Sequence, residues 1–428
     1  MRLTSTALLL VFAAALAGCN DTLESATYDT PRVSNKVEQP LPGRILAEIQ
    51  KKGMERNSPI MLRIFKEEGV LEVWKAKTNN RFDLIESYDI CAWSGRLGPK
   101  VKEGDRQAPE GFYPLTPYHL NPHSKYFLAI NTGFPNRFDQ AHGRSGSNLM
   151  IHGACSSSGC YSMTDAQILE IYAFARDAFK GGQKSVQLQA FPFRMTAENM
   201  ARHRHSQHSE FWKMLKVGYD QFEVTKRPPD VNVCEKKYVF NQLVPDGTSF
   251  NAQAACPPMS TPPALEMAMA GYNAAYGKAY DKAMNKFDGK IWYDPTEAER
   301  KALVADLRRS RAKDLAFAPT GSALKAGKLL DLDDVDPAML SAPNGAAAVN
   351  RMASNPTTSQ QAAPMSTPVP APSTPQIAAG QAASQAPVTQ TAGAIPVPQP
   401  NPLAPSPVAV APEAQAKKKP FWMLWQSE

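Results

Sequence analysis

The stretch IHGACSSSGCYSMTD, residues 151–165, places His152, Cys155 and Cys160 within nine positions. Zinc ligation, a disulfide and a cysteine nucleophile with a neighbouring base all fit such a cluster. The flanking residues set the local fold. NLMIHG (148–153) reads as a strand. After the cluster, Thr164 as N-cap and Gln167 three positions later form a capping box. Ile168, Ile171, Tyr172, Ala175 and Phe179 then recur on one helical face until Gly181 and Gly182 stop it. The cluster therefore sits in a strand–turn–helix unit.

Further outward, PIMLRIFKEEGVLEVWKAK (59–77) has two apolar runs split by charge and a glycine, the pattern of a β-hairpin, and YFLAINTGF (126–134) and SVQLQAFPF (185–193) read as strands. A mixed, β-dominant core is expected. Ala264–Phe287 and Pro295–Leu315 read as two helices, the second opened by Asp294, Pro295 and Glu297, and predict an appended helical hairpin over 260–318. Of 37 prolines many crowd the C-terminal region, and 341–416 is mostly Ala, Pro, Ser, Thr, Gln and Val. Such a chain cannot bury enough apolar surface to offset its ordering entropy, so 319–428 is expected to be a disordered tail. Its last residues, KKKPFWMLWQSE, join three lysines to an apolar cluster that could press into a membrane interface or a partner's groove.

The start of the chain restricts the chemistry. Arg2 precedes an apolar run from Ala7 to Leu16 that is too short for a permanent bilayer span. It closes on LAGC, which resembles the lipobox of bacterial lipoproteins. That resemblance implies a signal peptide at 1–18, lipidation of Cys19, a linker over 19–42, and a mature protein tethered in the periplasm of a Gram-negative-type envelope. The net charge of +7 over 428 residues is a poor argument for nucleic acid and suits an anionic extracytoplasmic polymer equally well.

In an oxidising compartment the default state of a cysteine is a disulfide. Of the six, Cys19 is set aside by lipidation, leaving Cys91, Cys155, Cys160, Cys234 and Cys256, an odd number. Zinc is disfavoured because neither His-x-x-Cys nor Cys-x4-Cys closes a four-ligand site; His203, His205 and His208 read as a solvated helix face. A nucleophile fits better. Cys160 follows Ser158 and Gly159 in a turn one helical turn before Thr164. The helix dipole and a nearby imidazole would lower its thiol pKa, and the Gly159 and Cys160 N–H groups could hold an oxyanion. His152 reaches Cys160 only if SSSG turns the chain back.

IHG followed by SSGCYSM resembles the active-site segment of the L,D-transpeptidases with a YkuD-type catalytic domain. Ser158 stands where most members have a histidine, Ser162 replaces the common arginine or asparagine, and the segment from His152 to Cys160 is shorter than usual. This shortened form is similar to the YafK-like murein branch. So are CAWSGRLGPKVKEGDRQAPEGFYPLTP (91–117), INTGFPNRFDQAHGRSGSNLMIHG (130–153) and FWKMLKVGYDQFEVTKRPPDVNVCEKKYVF (211–240).

The resemblance implies a YkuD-type β-sandwich over 43–250 with flanking helices, acting on the peptidoglycan stem peptide at meso-diaminopimelate. Cys160 is then the nucleophile and His152 the base that later protonates the leaving amine, with no metal or organic cofactor. Pro109, Glu110, Gly111 and Tyr113 match a recurrent P-E-G-x-Y, on a loop that is either a plain connection or one that leads toward the groove. Lys100, Arg106, Arg137 and Arg144 are candidate contacts for substrate carboxylates, with solvated surface as the competing reading. Cys234 and Cys256, 22 positions apart, are expected to pair, and Cys91 with Cys155 offers a second pair. Transfer to an amine is preferred slightly over hydrolysis that releases a wall-attached lipoprotein; an inactive, lipid-anchored wall-binding protein is the non-enzymatic alternative.

Overall fold

The computed structural model describes residues 35–155, 157, 159–311 and 321–335. Helix α1 (Gly43–Lys51) leads into the hairpin β1 (Ile60–Phe65) and β2 (Val70–Ala76), followed by β3 (Phe82–Asp89), β4 (Ala92–Trp93), β5 (Gly111–Leu115), β6 (Leu120–Asn121) and β7 (Ala129–Asn131). Helix α2 (Arg137–Ala141) precedes β8 (Met150–His152), β9 (Tyr161–Ser162), α3 (Asp165–Lys180) and β10 (Val186–Phe191). Then come α4 (Ala197–Arg202), α5 (Ser209–Thr225), the pair β11 (Val231–Cys234) and β12 (Lys237–Phe240), α6 (Pro263–Lys286), β13 (Lys290–Tyr293), α7 (Glu297–Arg311), α8 (Ser322–Ala326) and β14 (Lys328–Asp331).

The core holds two five-stranded sheets, in the orders β3-β2-β1-β10-β5 and β4-β9-β8-β7-β6. The first is mixed: β1 runs parallel to β10 and antiparallel to β2. Every residue of β1 is buried, as expected of a strand covered on both faces. Its charged member, Arg63, is 1% exposed and lies over the rings of Tyr219 and Phe222 while pairing with Glu223 at 2.6 Å. Helix α3 starts as its sequence requires, with the Thr164 hydroxyl accepting from Gln167 N–H and the Gln167 side chain returning to Thr164.

Strand makes up 22% and helix 36% of this mixed fold. Most of the strand lies in the two five-stranded sheets, and much of the helix in α5, α6 and α7. Helices α6 and α7 form where expected, but not as a hairpin. α6 packs on α4 and α5, α7 packs on α8, and β13 lies between them, paired with β14. KIWY carries the alternation of a strand, and Trp292 closes over Gly327, where an added Cβ would meet the indole at 2.1 Å. Part of the segment expected as a tail is structured, since 321–335 holds α8 and β14, and the rest of 319–428 lies outside the described residues. The expected linker is likewise partly structured: Leu41 is 2% exposed, and the Val37 and Gln39 carbonyls accept from Arg176. The signal peptide, Cys19 and the terminal KKKPFWMLW lie outside the described residues. Among the described residues no helix is long and apolar enough to cross a membrane.

Candidate active site

Strands β8 and β9 are parallel neighbours, with Ile151 opposite Tyr161 and His152 opposite Ser162. Side chains alternate along a strand, so His152 and Ser162 share one face while Ile151 and Tyr161, both fully buried, share the other. Continued by one residue, the register sets Cys160 beside Met150, on the His152 face and one diagonal step from it. The serine-rich turn thus returns the chain to the histidine's strand.

His152 is 2% exposed, and its Nδ1 lies 2.6 Å from the Gly153 carbonyl. A carbonyl only accepts, so Nδ1 carries the proton and Nε2 keeps the lone pair that a base needs. The Tyr126 ring lies 4.6 Å from the imidazole, and its carbonyl accepts from Gly153 N–H at 3.1 Å. Burial pushes the imidazole pKa down, against the opposing effect of the Gly153 bond.

Cys160 is the free cysteine among the described residues, and its thiol donates to the Asn148 carbonyl at 3.6 Å. Burial pushes its pKa up; a backbone hydrogen bond from Met150 and the charge of Lys100 act in the other direction and do not overcome it. The expectation of a depressed thiol pKa is therefore corrected. The first turn of α3 is engaged locally, with the Asp165 carboxylate accepting from Ala154 N–H at 2.8 Å and Thr164 capping Gln167. At rest burial thus holds each group toward its neutral form, thiol and imidazole.

One hydroxyl organises the turn. Ser157 Oγ accepts from Cys160 N–H at 3.2 Å and donates to the Cys160 carbonyl at 2.7 Å. Its single proton is thereby spent, so Ser94 is the donor in the 2.8 Å contact between the two hydroxyls. Gly159 has φ +103°, a region closed to most side chains, and a Cβ there would approach Leu149 Cδ2 to 3.3 Å. Because Ser157 occupies the Cys160 N–H, that amide is not open to an oxyanion in the resting turn, contrary to expectation. Ser158 lies outside the described residues.

Cys155 is bonded to Cys91, with Cα atoms 5.3 Å apart, and Cys234 to Cys256, at 5.0 Å. A sulfur held in a disulfide is not a zinc thiolate, so the three-ligand reading of the opening cluster does not hold. The disulfide segment is also fixed through its backbone: Cys155 N–H donates to the Met163 carbonyl, and Met163 N–H to that of His152 at 2.7 Å. Nor do the other histidines share one solvated face, because His203 is 4% exposed, stacked on Phe193 and bonded to Glu67 at 3.0 Å.

The P-E-G-x-Y loop is a buried brace. Glu110 takes Lys66 at 2.9 Å, Gly98 N–H at 2.7 Å and the Trp212 indole at 2.9 Å. Tyr161, directly after Cys160, donates its hydroxyl to the Pro109 carbonyl at 2.6 Å. The cationic candidates divide. Arg144 is held by Asp139 at 2.9 Å over the Phe138 ring, and Lys100 by Asp105 at 2.5 Å; both are built into the fold. Arg137 is exposed and borders a cleft with Gln140, Ser249, Phe250 and Gln253 whose lining includes neither Cys160 nor His152. Arg106 is half-exposed and pairs with Glu297 at 3.0 Å. The sequence reading missed Tyr126, Ser94 and Ser157. The last had a local signal, a serine three residues before a turn amide that it caps; the other two meet the site only through the fold.

The family described as the L,D-transpeptidase catalytic domain, YkuD, matches residues 64–186. YafK of Escherichia coli strain K12, to which L,D-transpeptidase activity is attributed by name, is 44% identical over 236 residues, 55% of this chain and 88% of that protein. The protein of the same name from strain O157:H7 matches equally. Among solved structures, the helical cell shape determining protein Pgp2 of Campylobacter jejuni shares 16% identity over 44% of this chain and 79% of that one. Its TM-score of 0.26 supports no further argument. With the nucleophile-type turn, the paired strands and a relative covered over nearly its whole length, the chain belongs to the YkuD-domain L,D-transpeptidase family and resembles its YafK branch.

Proposed function

We propose that the chain is a peptidoglycan L,D-transpeptidase in which Cys160 forms an acyl-enzyme with the stem peptide at meso-diaminopimelate. The observation that carries this reading is the free Cys160 on the sheet face of a buried histidine whose Nδ1 is committed to a backbone carbonyl. With both groups neutral at rest, His152 Nε2 takes the thiol proton as sulfur attacks the diaminopimelate carbonyl, then returns it to the leaving amine. The acceptor is the amine of a second stem peptide in one reading. In the other, water is the acceptor and a wall-attached lipoprotein is released, a reading supported by the short spacing between His152 and Cys160 in the sequence. In either case the enzyme is tethered at Cys19 in the periplasm and works on cell wall biogenesis and cell shape, without a metal or organic cofactor.

The test is incubation of the full chain with purified sacculi and a labelled amine acceptor, with muropeptides resolved by mass. Label at diaminopimelate carbonyls supports transfer. Cleaved products with no label at any acceptor concentration establish the hydrolase, and unchanged muropeptides overturn both.

A further inference from the structure

The segment after α6 lies more than a hundred residues beyond the family match at 64–186, yet its polar side chains converge on the loop behind the Cys160 turn. Glu297, the first residue of α7, accepts from Gly95 N–H at 2.9 Å with one carboxylate oxygen and from Arg106 at 3.0 Å with the other. Asp294 accepts from Leu97 N–H at 3.3 Å, and Arg96 reaches back to its carbonyl. Arg300, 5% exposed, lies 3.8 Å over the Trp93 ring and donates to the Trp93 carbonyl at 3.3 Å.

Two connections lead from these contacts to the thiol. Gly95 follows Ser94, whose hydroxyl bonds Ser157, and Ser157 holds both backbone groups of Cys160. Separately, Trp93 on β4 faces Tyr161 on β9, the residue next to Cys160, whose hydroxyl is fixed on Pro109. Gly95 has little freedom of its own: at φ +83° an added Cβ would fall 1.7 Å from the Gln107 side chain, which itself accepts from Arg96 N–H at 2.5 Å. The 93–97 loop is held from one side by Lys66, which donates to the Arg96 carbonyl at 2.8 Å, and by Ala108 N–H on the Ser94 carbonyl at 3.2 Å, and from the other side by α7.

We infer that Glu297 and Arg300 are positioning residues for Cys160, so that the C-terminal segment 290–311 is a working part of the active site. Neither side chain touches the thiol; both fix the backbone of 93–97, and through Ser94 and Trp93 the orientation of the Ser157–Tyr161 turn. This rests on the proposed cysteine chemistry. A displacement of about 1 Å at a reacting group is enough for large losses in turnover.

The experiment compares Glu297→Ala, Glu297→Gln, Arg300→Lys and Lys301→Ala in the full chain, by turnover on a soluble muropeptide and by the pH profile of Cys160 alkylation with iodoacetamide. Glu297→Ala and Arg300→Lys are expected to lower kcat about tenfold or more with KM within about twofold. In both, the alkylation midpoint moves down toward that of an ordinary cysteine as the turn loosens and the thiol gains water. Glu297→Gln keeps an acceptor for Gly95 N–H and restores most of both readouts. Lys301→Ala removes a 52% exposed partner of Glu297 and leaves both unchanged. Wild-type turnover and alkylation in Glu297→Ala and Arg300→Lys would overturn the inference, as would an equal loss in Lys301→Ala, which would point to general charge effects. Should the wild-type chain turn over no peptide, the proposed function fails while the alkylation profiles still decide the positioning role.

Discussion

At rest Cys160 holds its proton. Burial raises its pKa and lowers that of His152, so near neutrality the two groups are thiol and imidazole, not an ion pair. The sign of the pH dependence follows. Below the depressed imidazole pKa, itself under the usual value of about 6.5, His152 is protonated and cannot accept the thiol proton, so kcat/KM falls on the acid side. Iodoacetamide labelling of Cys160 should climb through and beyond pH 9 with no plateau near pH 6, and a labelling plateau at acidic pH would show a thiolate–imidazolium pair instead. His152→Ala and Cys160→Ala should each remove nearly all turnover, and the double variant no more than either, because the two act as a unit. Both residues stood out in the sequence as a candidate nucleophile and base, with their roles implied by the family resemblance. Their protonation was not legible there, because a thiol pKa depends on how much of the fold covers it, and the helix dipole and a nearby imidazole were the terms that sequence made visible.

At the scale of elements, the hairpin 59–77, the helix opened by Thr164 and the Cys234–Cys256 pair were all readable, each resting on a short-range pattern. The Cys91–Cys155 bond spans 64 positions and ties the end of the first sheet's β3 region to the segment that follows His152. Closing a loop of that size stabilises by roughly 4 kcal/mol where geometry is unstrained, against roughly 3 kcal/mol for 22 residues. Cys91→Ala/Cys155→Ala should therefore unfold at distinctly lower denaturant than wild type and still turn substrate over, since neither sulfur reacts. Urea titration alongside activity checks this; complete loss of turnover in a variant that remains folded would mean that the disulfide, not the turn, places His152. The helical hairpin failed as an expectation for the opposite reason. Periodicity located α6 and α7, but a four-residue strand between them and its partner thirty-odd positions on carry too little pattern to announce a sheet.

For the whole molecule, the site is assembled from pieces distant in sequence: the turn at 157–160, the loop 93–110, Tyr126, and the α7 residues Glu297 and Arg300. Contacts such as Gly95 with Glu297 span about two hundred positions and leave no mark on either local sequence. The family pattern points to where the chemistry is proposed to lie, and the fold shows which residues surround that turn. The central claim is that the acyl group passes through Cys160. It is tested most directly by quenching the full chain during turnover of a diaminopimelate-containing stem peptide and reading intact and peptide masses. The account predicts an acyl adduct confined to the peptide bearing Cys160 and absent in Cys160→Ala. Turnover with an unmodified Cys160 at every quench time, or turnover persisting in Cys160→Ala, would contradict it.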